Sequence, residues 1–204
     1  MQLAIQLIRH GLTQANIDRL YCGSTDIGLC LEGLEMLKQR TNSNIYHQTQ
    51  VYFTSGMART NETLKALFGD VDYRIVTEMS ECDFGIFEMK RHEELESSQE
   101  YQDWINDPTG DYQVPEGESQ NYFRNRVLTG FNNIVAIAAT EKFASCTVVA
   151  HGGTIGVLAL DMFPRPEDIH LYDTVPAHGG GYLVEISVGE DGSSFTLLGS
   201  TKIP

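Results

Sequence analysis

Positive charge is scarce in this chain. Its 204 residues carry 14 Lys and Arg against 28 Asp and Glu, a formal net charge of −14. No basic field exists to neutralise a phosphate backbone, which excludes nucleic acid as a partner. The same imbalance opposes long-range attraction of any anion, so an anion site has to be local, built from a few concentrated cations. Cysteine is sparse too: Cys22, Cys30, Cys82 and Cys146, with no C-x-x-C pair. That spacing suggests neither zinc nor a thioredoxin-like motif. Also missing is any apolar run near the ~18 residues of a membrane span. MQLAIQLIRHG at the N-terminus has no basic lead and no small-residue cleavage site, and Arg9 closes its apolar run. It reads as a first strand and not as a signal peptide, so reduced thiols and a cytoplasmic location without a membrane partner are expected. No P-loop, H-E-x-x-H or G-x-G-x-x-G is present. No cysteine has an Arg six residues later, which removes the thiol-based phosphatase signature.

What is there alternates. Residues 3–8 are short and apolar, as a buried strand should be. Residues 29–40 space Leu29, Leu31, Leu34, Met36 and Leu37 as a helix does. Further strands are expected at 51–54, 73–78 and 146–150, and further helices at 57–68 (stopped by Gly69), 92–105, 121–139 and 154–163 (stopped by Pro164 and Pro166). Residues 181–188 and 194–200 form a closing hairpin. Alternation of this kind implies a three-layer α/β fold, a mostly parallel sheet with helices on both faces. One domain spans 1–204, with a helical insertion over about 86–120 covering one sheet edge.

One pattern occurs twice. IRHGLT (8–13) and VAHGGT (149–154) both run from an apolar strand into His-Gly-x-Thr and then a helix. In open α/β sheets ligands sit beyond the carboxyl ends of strands. Glycine lets backbone approach a ligand closely, and helix N-termini offer free N–H groups to an anion. His10 and His151 are thereby candidate site residues. Arg59, in the first turn of the 57–68 helix, stands where the helix dipole disfavours a cation. It reads as a solvated surface Arg or as a bidentate phosphate ligand. Glu81, in SECDFG, reads as a surface carboxylate or a catalytic acid. His178, beside Gly179-Gly180-Gly181, is expected to be structural and near the active edge of the sheet.

The order RHG-x-T-x-x-N, S-x-x-x-R, E-x-D-F-G, P-x-G-E-S and strand-H-G-G resembles the histidine phosphatase (phosphoglycerate mutase-like) superfamily, from residue 3 to about residue 184. The resemblance implies a metal-independent phosphomonoesterase with no cofactor, acting on a small phosphorylated metabolite. It makes His10 the nucleophile that becomes a phosphohistidine. It makes Arg9, Arg59 and His151 the groups that hold the phosphate, Asn16 a donor to a phosphate oxygen, and Glu81 the general acid and later base. Cys22, Gly23 and Gly152 join the substrate-binding set. Phosphoryl transfer rests on positioning and on stabilising the equatorial oxygens, which two arginines and a second histidine supply. The nucleophilic imidazole has to be neutral, with its other nitrogen donating to a backbone carbonyl such as that of Gly11. Glu81 needs a raised pKa.

The chain also departs from the family pattern. Leu12 follows RHG where many members carry Glu, and Cys22 stands near a frequent Gln. Gly56 replaces a common Pro, Met89 a common Gly, and Cys30 a capping Ser or Thr. The YCGSTD and PEGES stretches resemble the small α-ribazole 5′-phosphate phosphatases of cobalamin nucleotide-loop assembly. A broad-specificity phosphatase, a phosphoglycerate mutase and a non-catalytic phosphate-binding module stay open. Residues 88–118 hold ten acidic and two basic side chains, −8 of the −14 net charge. Such a lid disfavours polyanionic substrates. Its aromatic residues, Trp104 among them, either stack on a ring-bearing leaving group or pack inward as a small core. Monomer and homodimer are equally compatible with the sequence.

Overall fold

The computed structural model describes residues 1–43, 45–164, 171–189, 192 and 194–204. Strands β1 (Gln2–Arg9), β2 (Val51–Thr54), β3 (Arg74–Ile75), β4 (Ser145–Ala150), β5 (Gly181–Val188) and β6 (Phe195–Ile203) form one sheet in the order β3-β2-β4-β1-β5-β6. The pairs β3–β2, β2–β4 and β4–β1 are parallel, and β1–β5 and β5–β6 are antiparallel. The closing hairpin therefore caps a parallel sheet on one side.

The helices are α1 (Gln14–Ile17), α2 (Leu31–Thr41), α3 (Ala58–Phe68), α4 (His92–Leu95), α5 (Gln99–Ile105), α6 (Gln120–Thr140), α7 (Gly152–Met162) and α8 (Leu171–Thr174). Side chains alternate across a strand, and β1 feeds both faces. Leu3, Ile5 and Leu7 pack with Phe123, Val127 and Phe131 of α6 and with Ile155 and Leu158 of α7. Ile8 packs on the opposite face with Leu37 of α2 and Leu64 and Leu67 of α3. This is the expected three-layer arrangement. Gln6, a buried polar residue in β1, is fully engaged: its amide donates to the His47 carbonyl and the Thr147 hydroxyl and accepts from the His47 N–H.

Three expectations change. The strand over 73–78 shrinks to Arg74–Ile75, because this edge strand turns at Thr77–Met79 into a 3-10 turn that packs under α6. The helix over 92–105 breaks into α4 and α5, where Ser98 caps a new N-terminus through the Tyr101 N–H. The two His-Gly-x-Thr segments also differ. α7 starts directly after His151, whereas the first segment stays extended to Thr13 and yields only the single turn of α1. Pro164 ends α7 as expected; Pro166 lies outside the described residues.

The insertion has its own small core of Phe87, Leu95, Tyr101, Trp104 and Val114. Trp104 is 7% exposed, so its ring packs inward and does not present a stacking face. A two-way link joins this insertion to the segment after α1: the Tyr21 N–H donates to the Lys90 carbonyl, the Met89 N–H donates to the Tyr21 carbonyl, and Leu20 bridges to Arg91.

Candidate active site

The register of β1 on β4 creates the site. Arg9 pairs with Ala150 in the last rung, so the next residues, His10 and His151, leave the sheet side by side. Their rings lie edge to face, 5.3 Å between centroids, and both are buried. β2 ends one rung earlier, with Thr54 on Val149. That delivers the Ser55 hydroxyl to within 2.8 Å of His151 Nε2. α3 then starts and carries Arg59, 1% exposed, beneath the two rings.

Donor and acceptor identities follow from these partners. Arg59 Nε can only donate, and it reaches His151 Nδ1 at 3.2 Å. His151 therefore accepts at Nδ1 and donates from Nε2 to Ser55. The two terminal nitrogens of Arg59 donate to the carbonyls of Thr25, at 2.9 Å, and Gly23, at 2.7 Å. His10 Nδ1 lies 2.7 Å from the Gly11 carbonyl. A carbonyl only accepts, so Nδ1 carries the proton and the lone pair sits on Nε2. No protein hydrogen bond reaches Nε2 among the described residues. Burial, then the neighbouring Arg59, hold His10 well below the ordinary histidine range. Burial, then His10 and Arg59, do the same to His151. Both imidazoles are neutral at neutral pH.

Arg9 donates from Nη1 to the Pro176 carbonyl at 2.8 Å, while its Nε is buried without a partner among the described residues. Burial lowers its pKa and Glu81 raises it. A buried donor left unpaired is rare in folded proteins and costs free energy, so this nitrogen waits for an acceptor. Glu81 accepts from its neighbour's N–H (Cys82, 3.0 Å) and from the Gly153 N–H at the start of α7, 2.9 Å. A Cβ on Gly153 would come within 2.4 Å of Glu81 Oε1; glycine alone permits this approach. Desolvation raises the Glu81 pKa, against the pull of these two N–H groups and of Arg59 and Arg9.

The remaining expected residues occupy the rim. Asn16 uses its Oδ1 to accept from the Thr13 N–H and hydroxyl, which leaves its NH₂ as the outward donor. Cys22 points its thiol toward the Thr25 carbonyl at 3.6 Å, and burial raises its pKa. Gly23 serves through its carbonyl on Arg59, because its N–H donates to Glu88. A Cβ there would meet the Cys82 carbonyl at 1.6 Å. Gly152 lies against Arg9, with room for a Cβ only 3.1 Å from Nε.

Several site neighbours were not anticipated. Ser55 fixes His151, yet in TSGMART it looks like any turn serine. Glu88 gathers the N–H groups of Gly23, Ser24, Thr25 and Phe84 and the Thr25 hydroxyl, anchoring the YCGSTD loop across 65 residues of chain. His178, by contrast, was expected near the active edge, and its ring lies 5.5 Å from that of His10, with its Nδ1 donating to the His10 carbonyl at 3.2 Å. Burial, then Arg9, lower its pKa to about 4. Arg126 and Glu118 form a two-bonded ion pair on the Glu81 side; the PEGES motif was the only signal for it. Two cavities open at the site, one of about 700 Å³ lined by Glu81 with Ser55 and Arg126, and one of about 300 Å³ lined by Arg9, Asn16 and His178.

Residues 5–196 match the family model of the histidine phosphatase superfamily (branch 1). The chain is 28% identical over 171 residues to an adenosylcobalamin/alpha-ribazole phosphatase of Escherichia coli, covering 81% of this chain and 82% of that protein. The alpha-ribazole phosphatase structure from Shigella flexneri is 25% identical, with a TM-score of 0.76 over 96% of this chain and 94% of the other. A phosphoglycerate mutase structure from Bacillus anthracis shares the fold at 16% identity, with a TM-score of 0.73 over 96% and 91% of the two chains.

Proposed function

We propose that this chain, which belongs to the histidine phosphatase superfamily, hydrolyses a phosphomonoester by transferring the phosphoryl group to His10. The observation that carries this reading is the state of His10: neutral, its Nδ1 proton held by Gly11, and its Nε2 lone pair unengaged among the described residues, with the buried Arg59 and the half-buried Arg9 close enough to lower its pKa. A nucleophile and a ready anion site coincide there.

The chemistry runs in two steps. His10 Nε2 attacks phosphorus in line with the leaving oxygen, and the P–O bond to the alcohol breaks. Arg9, through its unpaired Nε, and Arg59 stabilise the equatorial oxygens, with Asn16 and His151 completing the cradle. Glu81, whose pKa desolvation raises, passes a proton to the departing alkoxide. The resulting carboxylate takes a proton from water, which attacks phosphorus; the N–P bond breaks and inorganic phosphate leaves. Gly152 and Gly153 keep the start of α7 close to both Arg9 and Glu81, and the Gly23 carbonyl orients Arg59. Cys22 lines the rim next to this loop.

For the substrate we propose α-ribazole 5′-phosphate, on the strength of the named relatives and of the YCGSTD and PEGES stretches. Phosphate release is measured in EDTA from α-ribazole 5′-phosphate, p-nitrophenyl phosphate and 3-phosphoglycerate. A preference of orders of magnitude for the first is expected. His10→Ala is expected to abolish turnover while retaining phosphate binding, and rapid quench of the wild type is expected to trap an acid-labile phosphoenzyme. Full activity in His10→Ala refutes the mechanism.

A further inference from the structure

The leaving group has a defined place. In the proposed reaction its oxygen takes a proton from Glu81, and Glu81 lines the cavity of about 700 Å³ and not the one of about 300 Å³. The body of the alcohol therefore extends into the larger cavity. Its volume falls in the range of small-molecule sites, ~300–1,000 Å³.

The charges around this space are one-sided. Besides Glu81, four carboxylates line it, Asp26, Glu78, Asp83 and Glu118, against the single cation Arg126. Glu118 is neutralised by that arginine. Asp26 accepts from the Ala58 N–H, and Asp83 from the Ser24 hydroxyl and the Gly85 N–H. Those donors are neutral, so both charges stay uncompensated. Glu78 has no side-chain hydrogen bond at all among the described residues.

The one cation is not available to a ligand. A guanidinium has five N–H donors. Arg126 spends Nε on Glu118, Nη1 on the carbonyls of Glu78 and Ser80, and Nη2 on the Glu81 carbonyl and Glu118. All five are used. A carboxylate entering this cavity would meet three uncompensated negative charges and find no free guanidinium N–H. Among the described residues the smaller cavity is lined by the cations Arg9 and Arg19, by His92 and the neutral His178, and by no carboxylate. The site is polarised: cationic where the phosphate sits, anionic where the alcohol sits.

We infer that this cavity is a charge filter. The enzyme takes phosphomonoesters whose leaving alcohol is uncharged or cationic and rejects those whose alcohol carries a carboxylate or second phosphate, with Glu78 and the saturated Arg126–Glu118 pair as the determinants. The inference rests on the hydrolytic reading of His10 and Glu81 and adds the class of leaving group.

The test is a matched pair. Glycerol 3-phosphate and 3-phosphoglycerate share a three-carbon skeleton and differ in one carboxylate. On the wild type at low salt, kcat/KM is expected to favour glycerol 3-phosphate by at least about tenfold, and 0.5 M salt is expected to shrink the preference because screening weakens the field. Glu78→Gln is expected to narrow the ratio about threefold, the size of one charge at cavity distance in a partly wet site. Glu118→Gln removes the negative charge that neutralises Arg126 and frees one of its two donors to Glu118, since the amide keeps one acceptor oxygen, and is expected to raise kcat/KM for 3-phosphoglycerate in absolute terms. The ratio is taken within each preparation, so incomplete folding of a variant cancels. Equal kcat/KM on the two substrates, or a ratio unmoved by both Glu78→Gln and salt, overturns the filter while hydrolysis stands. No turnover of either substrate or of p-nitrophenyl phosphate overturns the hydrolytic reading, and the filter with it.

Discussion

At the scale of the residue, opposed pKa shifts set the assignments. Burial and Arg59 push His10 down, and desolvation pushes Glu81 up. In the proposed reaction the same dry pocket keeps the nucleophile neutral and favours the protonated form of the acid, with the signs set by the charge each group would carry. The dependence of kcat/KM on pH follows. Activity falls on the acid side as His10 takes a proton, at a pH below the ordinary histidine value of 6.5. It falls on the alkaline side as Glu81 loses its proton, at a pH above the ordinary glutamate value of 4.5. Glu81→Gln is expected to remove the alkaline limb. The same variant is expected to slow phosphoryl transfer from an alkyl phosphate by about 10²–10⁴, the usual worth of a general acid. Phosphorylation by p-nitrophenyl phosphate, whose leaving group needs no proton, should hold nearly steady. Pre-steady-state bursts with the two substrates check this, and equal losses on both would show that Glu81 is not the acid.

At the scale of the element, the family departures turn out to have local geometric meaning. Gly56 sits at φ +91°, a conformation closed to the proline common at this position, so the turn into α3 takes its own path here. Cys30 still caps α2, its sulfur accepting from the Gly33 N–H at 3.4 Å. Met89 is the costly one. It holds φ +58° where the family commonly places glycine, and its side chain is 40% exposed. A left-handed conformation costs a non-glycine residue about 1–2 kcal/mol, and glycine's extra unfolded-state freedom takes back part of that. Met89→Gly is therefore expected to stabilise the protein by about 0.5–1 kcal/mol, read as a higher midpoint in urea at unchanged slope. A lower midpoint would mean that the Met89 side chain packs more than its exposure indicates.

At the scale of the whole molecule, burying three neutral imidazoles ties stability to pH. His10, His151 and His178 all have folded pKa values below the ordinary 6.5, that of His178 at about 4. In the unfolded chain they bind protons from about pH 6.5 downward, so the unfolded state holds more protons and stability is lost as the pH is lowered. The loss starts near pH 6.5 and continues down to the folded values. Glu81, with a raised folded pKa, works in the opposite sense above pH 4.5 but is one group against three. Urea titrations from pH 7 to pH 4.5 are expected to show a steady decline, with a shallower slope for His178→Gln. A flat profile in the wild type would mean that the imidazoles are reached by protons in the folded state.

Much of this protein could be read from residue order alone. Short apolar runs located β1 and β4, which are buried on both faces, one-face apolar spacing located α6, and Gly69 marked the end of α3. Strand-His-Gly marked both histidines, since a parallel strand must end at the sheet edge where ligands collect. Other features depended on the tertiary structure. The rung Arg9–Ala150 sets His10 beside His151, and no local pattern encodes a register between strands some 140 residues apart. Trp104 turned inward because the insertion needed a core of its own. Ser55, Glu88 and Arg126 emerged only in space, as their roles consist of partners distant along the chain. Charge counting found an acidic protein; the fold decided which acids face the leaving group and left the one arginine among them no free donor.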